Sequence, residues 1–162
     1  MKREDFERLF EEHAQPLFGF LVYRTGDRVQ AEDVLGEAFL RALRARRRFD
    51  RRRGSEKAWL YSIALNVLRD EVRRSAAESR ALERAEAVAA GETGGSGVEH
   101  VENRDLVTRA LDSLSPEERE AIALRYGGQL TVPEMARALD LPLRTAESRV
   151  HRALRKLRED LR

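Results

Sequence analysis

The chain has 162 residues, 41% of them hydrophobic, which suffices for one compact domain or two small ones. It has no cysteine, which excludes disulfides and thiolate zinc sites, and its net charge is only +2 although 37% of residues are charged. The first residues carry charges where a signal peptide needs an apolar run, and no run approaches the about 20 apolar residues of a membrane span. We therefore expect a cytoplasmic protein without membrane insertion.

Apolar residues at helical spacing predict three helices in residues 1–76. The first helix ends at the sequence TGD. Asp27 is placed to cap the second, with Gln30 completing a capping box, and Ser55 is placed to cap the third. Trp59 falls on the apolar side of the third helix, where core packing is its expected role. These helices give the first unit a core of its own.

Residues 77–100 lose this periodicity and include GETGGSG, the composition of a flexible linker. The sequence therefore predicts a domain boundary here, followed by a second unit over residues 101–162. No stretch alternates as a strand does. The predicted fold is all-α, with two small helical domains joined by a flexible linker.

The second unit contains two strong helix-start signals. Ser115 precedes a proline and has Glu118 three residues later, and Thr131 has Glu134 at the same spacing, so each pair predicts a capping box. A double glycine between them is expected to end the intervening helix.

Leu130–Leu157 predicts a helix-turn-helix, in which a short helix supports a second helix that enters the major groove. Ala136 supplies the small inward residue, and Asp140 lies at the corner, where aspartate tolerates a left-handed backbone. Between Leu141 and Arg158, the stretch that contains most of the second helix, there are six basic residues and one acidic residue, Glu147. Its polar face carries Arg144, Thr145, Ser148, Arg149 and Arg152.

The sequence LDSLSPEEREAIALRYGGQLTVPEMARALDLPLRTAESRVHRALRKLRE resembles region 4 of the extracytoplasmic-function (ECF) group of bacterial sigma-70 family RNA polymerase sigma factors. Independently, AEDVLGEAFLRAL resembles region 2.2, and AWLYSIALNVLRDEVRR resembles regions 2.3 and 2.4. The resemblance implies a sigma factor that binds core RNA polymerase and directs initiation at promoters with minus-10 and minus-35 elements. Four residues depart from the family pattern: Gly36, Leu65, Pro142 and Glu147.

The resemblance also implies roles for individual residues. Those implied to contact minus-35 DNA are Pro142, Leu143, Arg144, Thr145, Ser148, Arg149 and Arg152. Those implied to contact the minus-10 element are Arg53, Asn66, Arg69 and Arg73. Polymerase contacts are implied for the largest-subunit clamp at Asp33, Glu37 and Arg41, and for the second-largest-subunit flap at Leu124, Tyr126 and Leu130. Leu124 fits a core position equally well. The family further implies an anti-sigma factor as a partner.

Other classes of protein make different demands on the sequence. A stand-alone helix-turn-helix regulator would dimerise on palindromic DNA without polymerase. A protein that sequesters polymerase would keep the core-binding helices but lack productive promoter recognition. An enzyme needs a nucleophile, a metal set or a phosphate loop, and none is visible. His13, His100 and His151 are scattered without partners at metal spacing. We therefore expect no catalytic residues, no metal and no cofactor.

Overall fold

The computed structural model describes residues 1–86 and 109–162, and within these ranges it contains helices and turns without a strand. The predicted all-α fold is thus confirmed. No helix in this part of the chain combines the length and apolarity that crossing a bilayer requires.

The first two helices are α1 (Arg3–Thr25) and α2 (Arg28–Ala45). Asp27 caps α2 as predicted, because its carboxylate accepts the backbone N–H groups of Val29 and Gln30. The predicted capping box with Gln30 is wrong. The Asp27 N–H donates to Thr25 Oγ1 at 3.3 Å, and the Gln30 side chain donates instead to Glu71 Oε2 at 3.2 Å on the next helix.

Two short 3₁₀ turns, Arg46–Arg48 and Arg51–Arg53, lead into the long helix α3 (Glu56–Glu86). Ser55 caps it as predicted, since its hydroxyl accepts the Ala58 N–H at 3.1 Å. α3 extends through residues 77–86, which the sequence assigned to the linker. Those residues are mostly alanine, glutamate, arginine and leucine, all strong helix formers. Predicted linker residues 87–100 lie outside the described residues.

The second unit contains helical residues 109–112, then α4 (Pro116–Ile122), a π turn (Ala123–Gly127), α5 (Val132–Ala138) and α6 (Leu143–Asp160). Both predicted capping boxes are present, one at the start of α4 and one at the start of α5. The double glycine ends the π turn. α5 and α6 form the predicted helix-turn-helix, which packs on α4.

The two units share one buried hydrophobic cluster, whereas the sequence predicts a separate core for each. α3 lies at the centre of this arrangement, packed against α1 and α2 of the first unit and α5 of the second. Tyr61 in α3 is fully buried, with its ring centre 5.6 Å from that of Phe20 in α1. Trp59 is partly buried and its ring centre lies 5.1 Å from that of Phe49, which confirms its packing role.

The corner of the helix-turn-helix has the predicted left-handed backbone, with a φ of 53° at Asp140. Glycine adopts this conformation without steric cost, whereas alanine does not. We expect Asp140→Gly to raise the free energy of unfolding by up to about 1 kcal/mol and Asp140→Ala to lower it by a similar amount. Urea unfolding followed by circular dichroism measures both. Equal stability of the two variants would contradict backbone strain at this corner.

Candidate nucleic-acid interface

The polar face of α6 is available to a ligand. Arg144, Ser148 and Arg152 are exposed, and Thr145 and Arg149 are half-buried. The opposite side of the helix is held in the protein by Ala146, Val150 and Ala153. Pro142 and Leu143, at the start of α6, are also exposed. Six of the seven predicted minus-35 residues therefore lie at the start or in the N-terminal half of one helix, the part that contacts bases in a helix-turn-helix, and Arg152 follows just beyond its midpoint.

A partly buried ion pair connects α6 to α4, with Glu118 buried and the Lys156 side chain partly exposed. Lys156 Nζ donates to Glu118 Oε2 at 2.7 Å, and Glu118, only 5% exposed, also accepts the Ser115 N–H at 3.0 Å. The hydrogen bond from Lys156 and then that from Ser115 hold the pKa of the Glu118 carboxyl below its usual value. Sequence reasoning identified Glu118 as a cap but missed Lys156, which lies 38 residues away.

The predicted minus-10 residues divide into two places. Asn66, Arg69 and Arg73 are exposed on α3, and Asn66 Oδ1 accepts a hydrogen bond from Arg69 Nη1 at 3.2 Å. Arg53 lies in the turn before α3, whereas Asn66 is roughly 15 Å along the helix axis from its start. Arg53 lines a separate cleft together with Trp59 and Arg137. The structure therefore groups three of these four residues.

The predicted clamp-binding residues lie on α2. Asp33 is exposed, while Glu37 and Arg41 belong to an ion-pair network with Asp70 of α3. Arg41 lies 2.7 Å from a carboxylate oxygen of each partner. The hydrogen bonds to Asp70 and then to Glu37 raise the pKa of Arg41. Arg41 thus connects the two helices, and Asp33 is the acid left free of this network. Asp70 was not identified from the sequence.

The predicted flap-binding residues differ sharply in exposure. Leu124 and Leu130 are both 0% exposed, within the cluster that joins the two units. Tyr126 is 55% exposed, with the Arg125 guanidinium 5.6 Å from its ring centre. Of these three residues, Tyr126 alone is exposed enough to contact another protein in this conformation. Leu124 is a core residue, which was one of its two interpretations from the sequence. Leu130 is a core residue as well.

Within residues 1–86 and 109–162, no three histidine, aspartate or glutamate side chains are placed to hold a metal ion. The fold and its surfaces define a helical protein of the helix-turn-helix DNA-binding class. Its first unit, which contains α1 to α3, has basic and acidic faces of its own.

Comparison with known families identifies the class more closely. Residues 9–78 match the model of sigma-70 region 2, and residues 104–157 match that of sigma-70 region 4. The ECF RNA polymerase sigma factor SigL of Mycobacterium tuberculosis is 33% identical over 159 residues, covering 93% of this chain and 85% of SigL. SigX of Bacillus subtilis, also an ECF RNA polymerase sigma factor, is 30% identical over 168 residues, covering 98% and 84%.

The fold is also similar to solved structures. The sigma factor RpoE in complex with the anti-sigma factor NepR from Bartonella quintana matches with a TM-score of 0.72 at 24% identity, covering 98% of this chain and 97% of RpoE. CnrH in complex with the cytosolic domain of CnrY matches with a TM-score of 0.66 at 27% identity, covering 98% and 88%. The chain belongs to the ECF sigma factors of the sigma-70 family, which direct RNA polymerase to promoters.

The buried Glu118 carboxylate generates a pH-dependent prediction. Its pKa is lowered on folding, so its contribution is present well above pH 4.5 and is lost as the pH falls through the lowered value. We expect Glu118→Gln to be less stable than the parent at pH 7 and the difference to shrink as the pH falls below 4.5, the usual pKa of a glutamate. Urea unfolding at several pH values measures it. A difference that stays constant with pH would contradict a charged Glu118 in the folded protein.

Proposed function

We propose that this sigma factor reads the minus-35 element with the polar face of α6. The observation that carries the proposal is the placement of Arg144, Arg149 and Arg152 around one accessible side of a helix whose other side is buried. Arginine offers a planar fork that matches guanine edges and phosphates. The ion pair of Lys156 and the buried Glu118 supports this role, because it holds α6 against α4.

For the minus-10 element we propose Asn66, Arg69 and Arg73 on α3 as the contact surface. The Asn66 amide can accept and donate toward a base edge, while the two guanidinium groups suit phosphates. Arg53 lies in the turn before α3, away from these three residues, and we propose that it contacts the phosphate backbone. Between Arg41 and Arg53 the chain has eight arginines, whose charge can hold unwound DNA.

The polymerase contacts are proposed on two separate surfaces. Asp33 on α2 presents an exposed carboxylate to the largest-subunit clamp, and Glu37 and Arg41, which pair with each other, lie on the same helix. An acidic surface that meets a basic one speeds association in a salt-dependent way. Tyr126 offers an exposed aromatic ring to the flap of the second-largest subunit. Aromatic side chains are enriched where protein surfaces meet.

The protein is further proposed to act in the cytoplasm, without catalysing a reaction, and under the control of an anti-sigma factor. Its similarity to ECF sigma factors supports the first two statements. The third is supported by RpoE, which was solved with the anti-sigma factor NepR.

The central experiment is run-off transcription with purified core polymerase on a randomised promoter library. We expect the parent to initiate from a defined promoter set and Arg149→Ala to lose affinity for it, by roughly 1 to 3 kcal/mol if Arg149 contacts a base. Arg158→Ala is the matched control, since Arg158 is an exposed arginine in the last turn of the same helix. Core binding should be equal in all three proteins.

One outcome would contradict the DNA-reading role of α6, and two others would contradict the function of the protein as a sigma factor. If Arg149→Ala and Arg158→Ala lose equal affinity for the promoter, both arginines act only through the overall positive charge of the helix. A parent that binds core polymerase tightly but initiates nowhere in the library would be a sequestering protein, and one that binds palindromic duplex as a dimer without polymerase would be a stand-alone regulator.

The clamp contact is tested by Asp33→Ala. We expect it to weaken binding to core polymerase by about 1 kcal/mol, roughly fivefold, and to reduce the dependence of association on salt. Glu11→Ala is the control, because it removes one exposed acid from α1. Stopped-flow association with core polymerase at two salt concentrations measures both. Indistinguishable rates for the two variants would place the clamp contact elsewhere.

A further inference from the structure

A groove of about 440 Å³ lies between α2 and α3, and charged side chains from both helices line it. Two hydrogen bonds join the helices here. Arg41 Nη1 donates to Asp70 Oδ2 at 2.7 Å, and Gln30 Nε2 donates to Glu71 Oε2 at 3.2 Å. Gln30 is near the start of α2 and Arg41 near its end, roughly 16 Å apart along the helix axis. Two neighbouring acids of α3 therefore hold α2 at two distant points.

The buried side of α2 has few large side chains that could fix its position on α3. Four of its five buried residues are alanine or valine. The fifth, Phe39, packs on α1, where its ring centre lies 6.2 Å from that of Phe6 and 4.8 Å from that of Phe10. Helices interlock through side chains that project into the grooves of their partner, and short side chains project little. The two polar contacts therefore resist sliding of α2 along α3.

Asp70 belongs to the side of α3 that carries the proposed minus-10 contacts. It lies four residues after Asn66 and three before Arg73, spacings that place side chains next to each other on a helix. The pKa of the Asp70 carboxyl is held below its usual value, first by the hydrogen bond from Arg41 and also by the charges of Arg41 and Arg73. One carboxylate thus interacts both with the link to α2 and with an arginine of the minus-10 surface.

The charge of Asp70 by itself opposes DNA binding. A carboxylate beside a surface that holds phosphates repels them, and the Arg41 guanidinium at 2.7 Å offsets that charge. If Asp70 acted through charge alone, its removal would strengthen promoter binding. If it acts by holding α3 in place, its removal weakens recognition. The two roles therefore predict effects of opposite sign.

We propose that Asp70 is a positioning residue for minus-10 recognition. Through its hydrogen bond with Arg41 it holds α3 on α2 in the orientation that presents Asn66 to the promoter. The inference rests on the proposed minus-10 surface. It gives Arg41 a role inside region 2, paired with Asp70 and Glu37, in place of the clamp contact that the resemblance implies.

The test compares Asp70→Ala, Arg41→Ala and the double variant of the full chain, each bound to core polymerase. Run-off transcription is measured from a promoter obtained from the randomised library, and from the same promoter with a substituted minus-10 or minus-35 element. We expect each single variant to lower the preference for the intact minus-10 element about fivefold and to leave the preference for the minus-35 element unchanged. The double variant should lose no more than either single variant, because both remove the same contact.

Two further variants are controls. Glu78→Ala removes an exposed acid from α3, eight residues beyond Asp70, and should keep the parent's preference for the minus-10 element. Asp70→Glu keeps a carboxylate and should restore most of the preference that Asp70→Ala loses. Affinity for core polymerase should be equal in all variants. Because the preference is a ratio between two promoters, a smaller folded fraction of a variant does not change it.

Three outcomes overturn the inference alone. If Arg41→Ala weakens binding to core polymerase and Asp70→Ala does not, Arg41 contacts the clamp. If Asp70→Ala and Glu78→Ala both strengthen promoter binding, Asp70 acts only through its charge. If the losses of the two single variants add in the double variant, the two residues act separately.

Asn66→Ala, assayed alongside, separates this inference from the proposed function. If Asn66→Ala keeps the parent's minus-10 preference, the proposed minus-10 surface is wrong and the role of Asp70 falls with it. If Asn66→Ala loses that preference and Asp70→Ala keeps it, the minus-10 surface stands and the positioning role of Asp70 is overturned.

Discussion

The rest of this structure depends on the packing of α3, which contacts α1 and α2 of its own unit and α5 of the second unit. Tyr61 packs on Phe20 of α1 and touches the backbone at Gly128, so one side chain belongs to both units. Leu65 is buried near it, one residue before Asn66, which is exposed on the same helix. Full burial of a large apolar side chain contributes about 1.5 to 3 kcal/mol, so a few such residues suffice to join two small units.

The charged side chains fall into two sets: some form ion pairs that join helices, and others are exposed on the surface. Glu118 is paired with Lys156, and Arg41 bridges α2 and α3 through two carboxylates. Arg144 and Arg152 on α6 and Arg69 and Arg73 on α3 are exposed. A net charge of +2 conceals this separation, because acidic and basic faces cancel in the sum while remaining distinct in space.

The contact that joins the two units combines favourable and unfavourable burial. Leu124 and Leu130 are fully buried in the cluster that both units share, and their burial stabilises the joined units. The Tyr61 hydroxyl is buried in the same cluster and has no hydrogen-bond partner among residues 1–86 and 109–162, so its burial opposes the packing that the apolar side chains favour.

The sequence by itself determined the local features: the all-α fold, the caps at Ser115 and Thr131, the left-handed corner at Asp140 and the exposed face of α6. Each depends on residues within a few positions of one another, where periodicity and hydrogen-bonding chemistry are readable. The pair of Arg41 and Asp70, 29 residues apart, and the shared burial across the two units could not be read this way. Tertiary structure alone decided them, because apolar periodicity shows which side of a helix is buried but not which helix covers it.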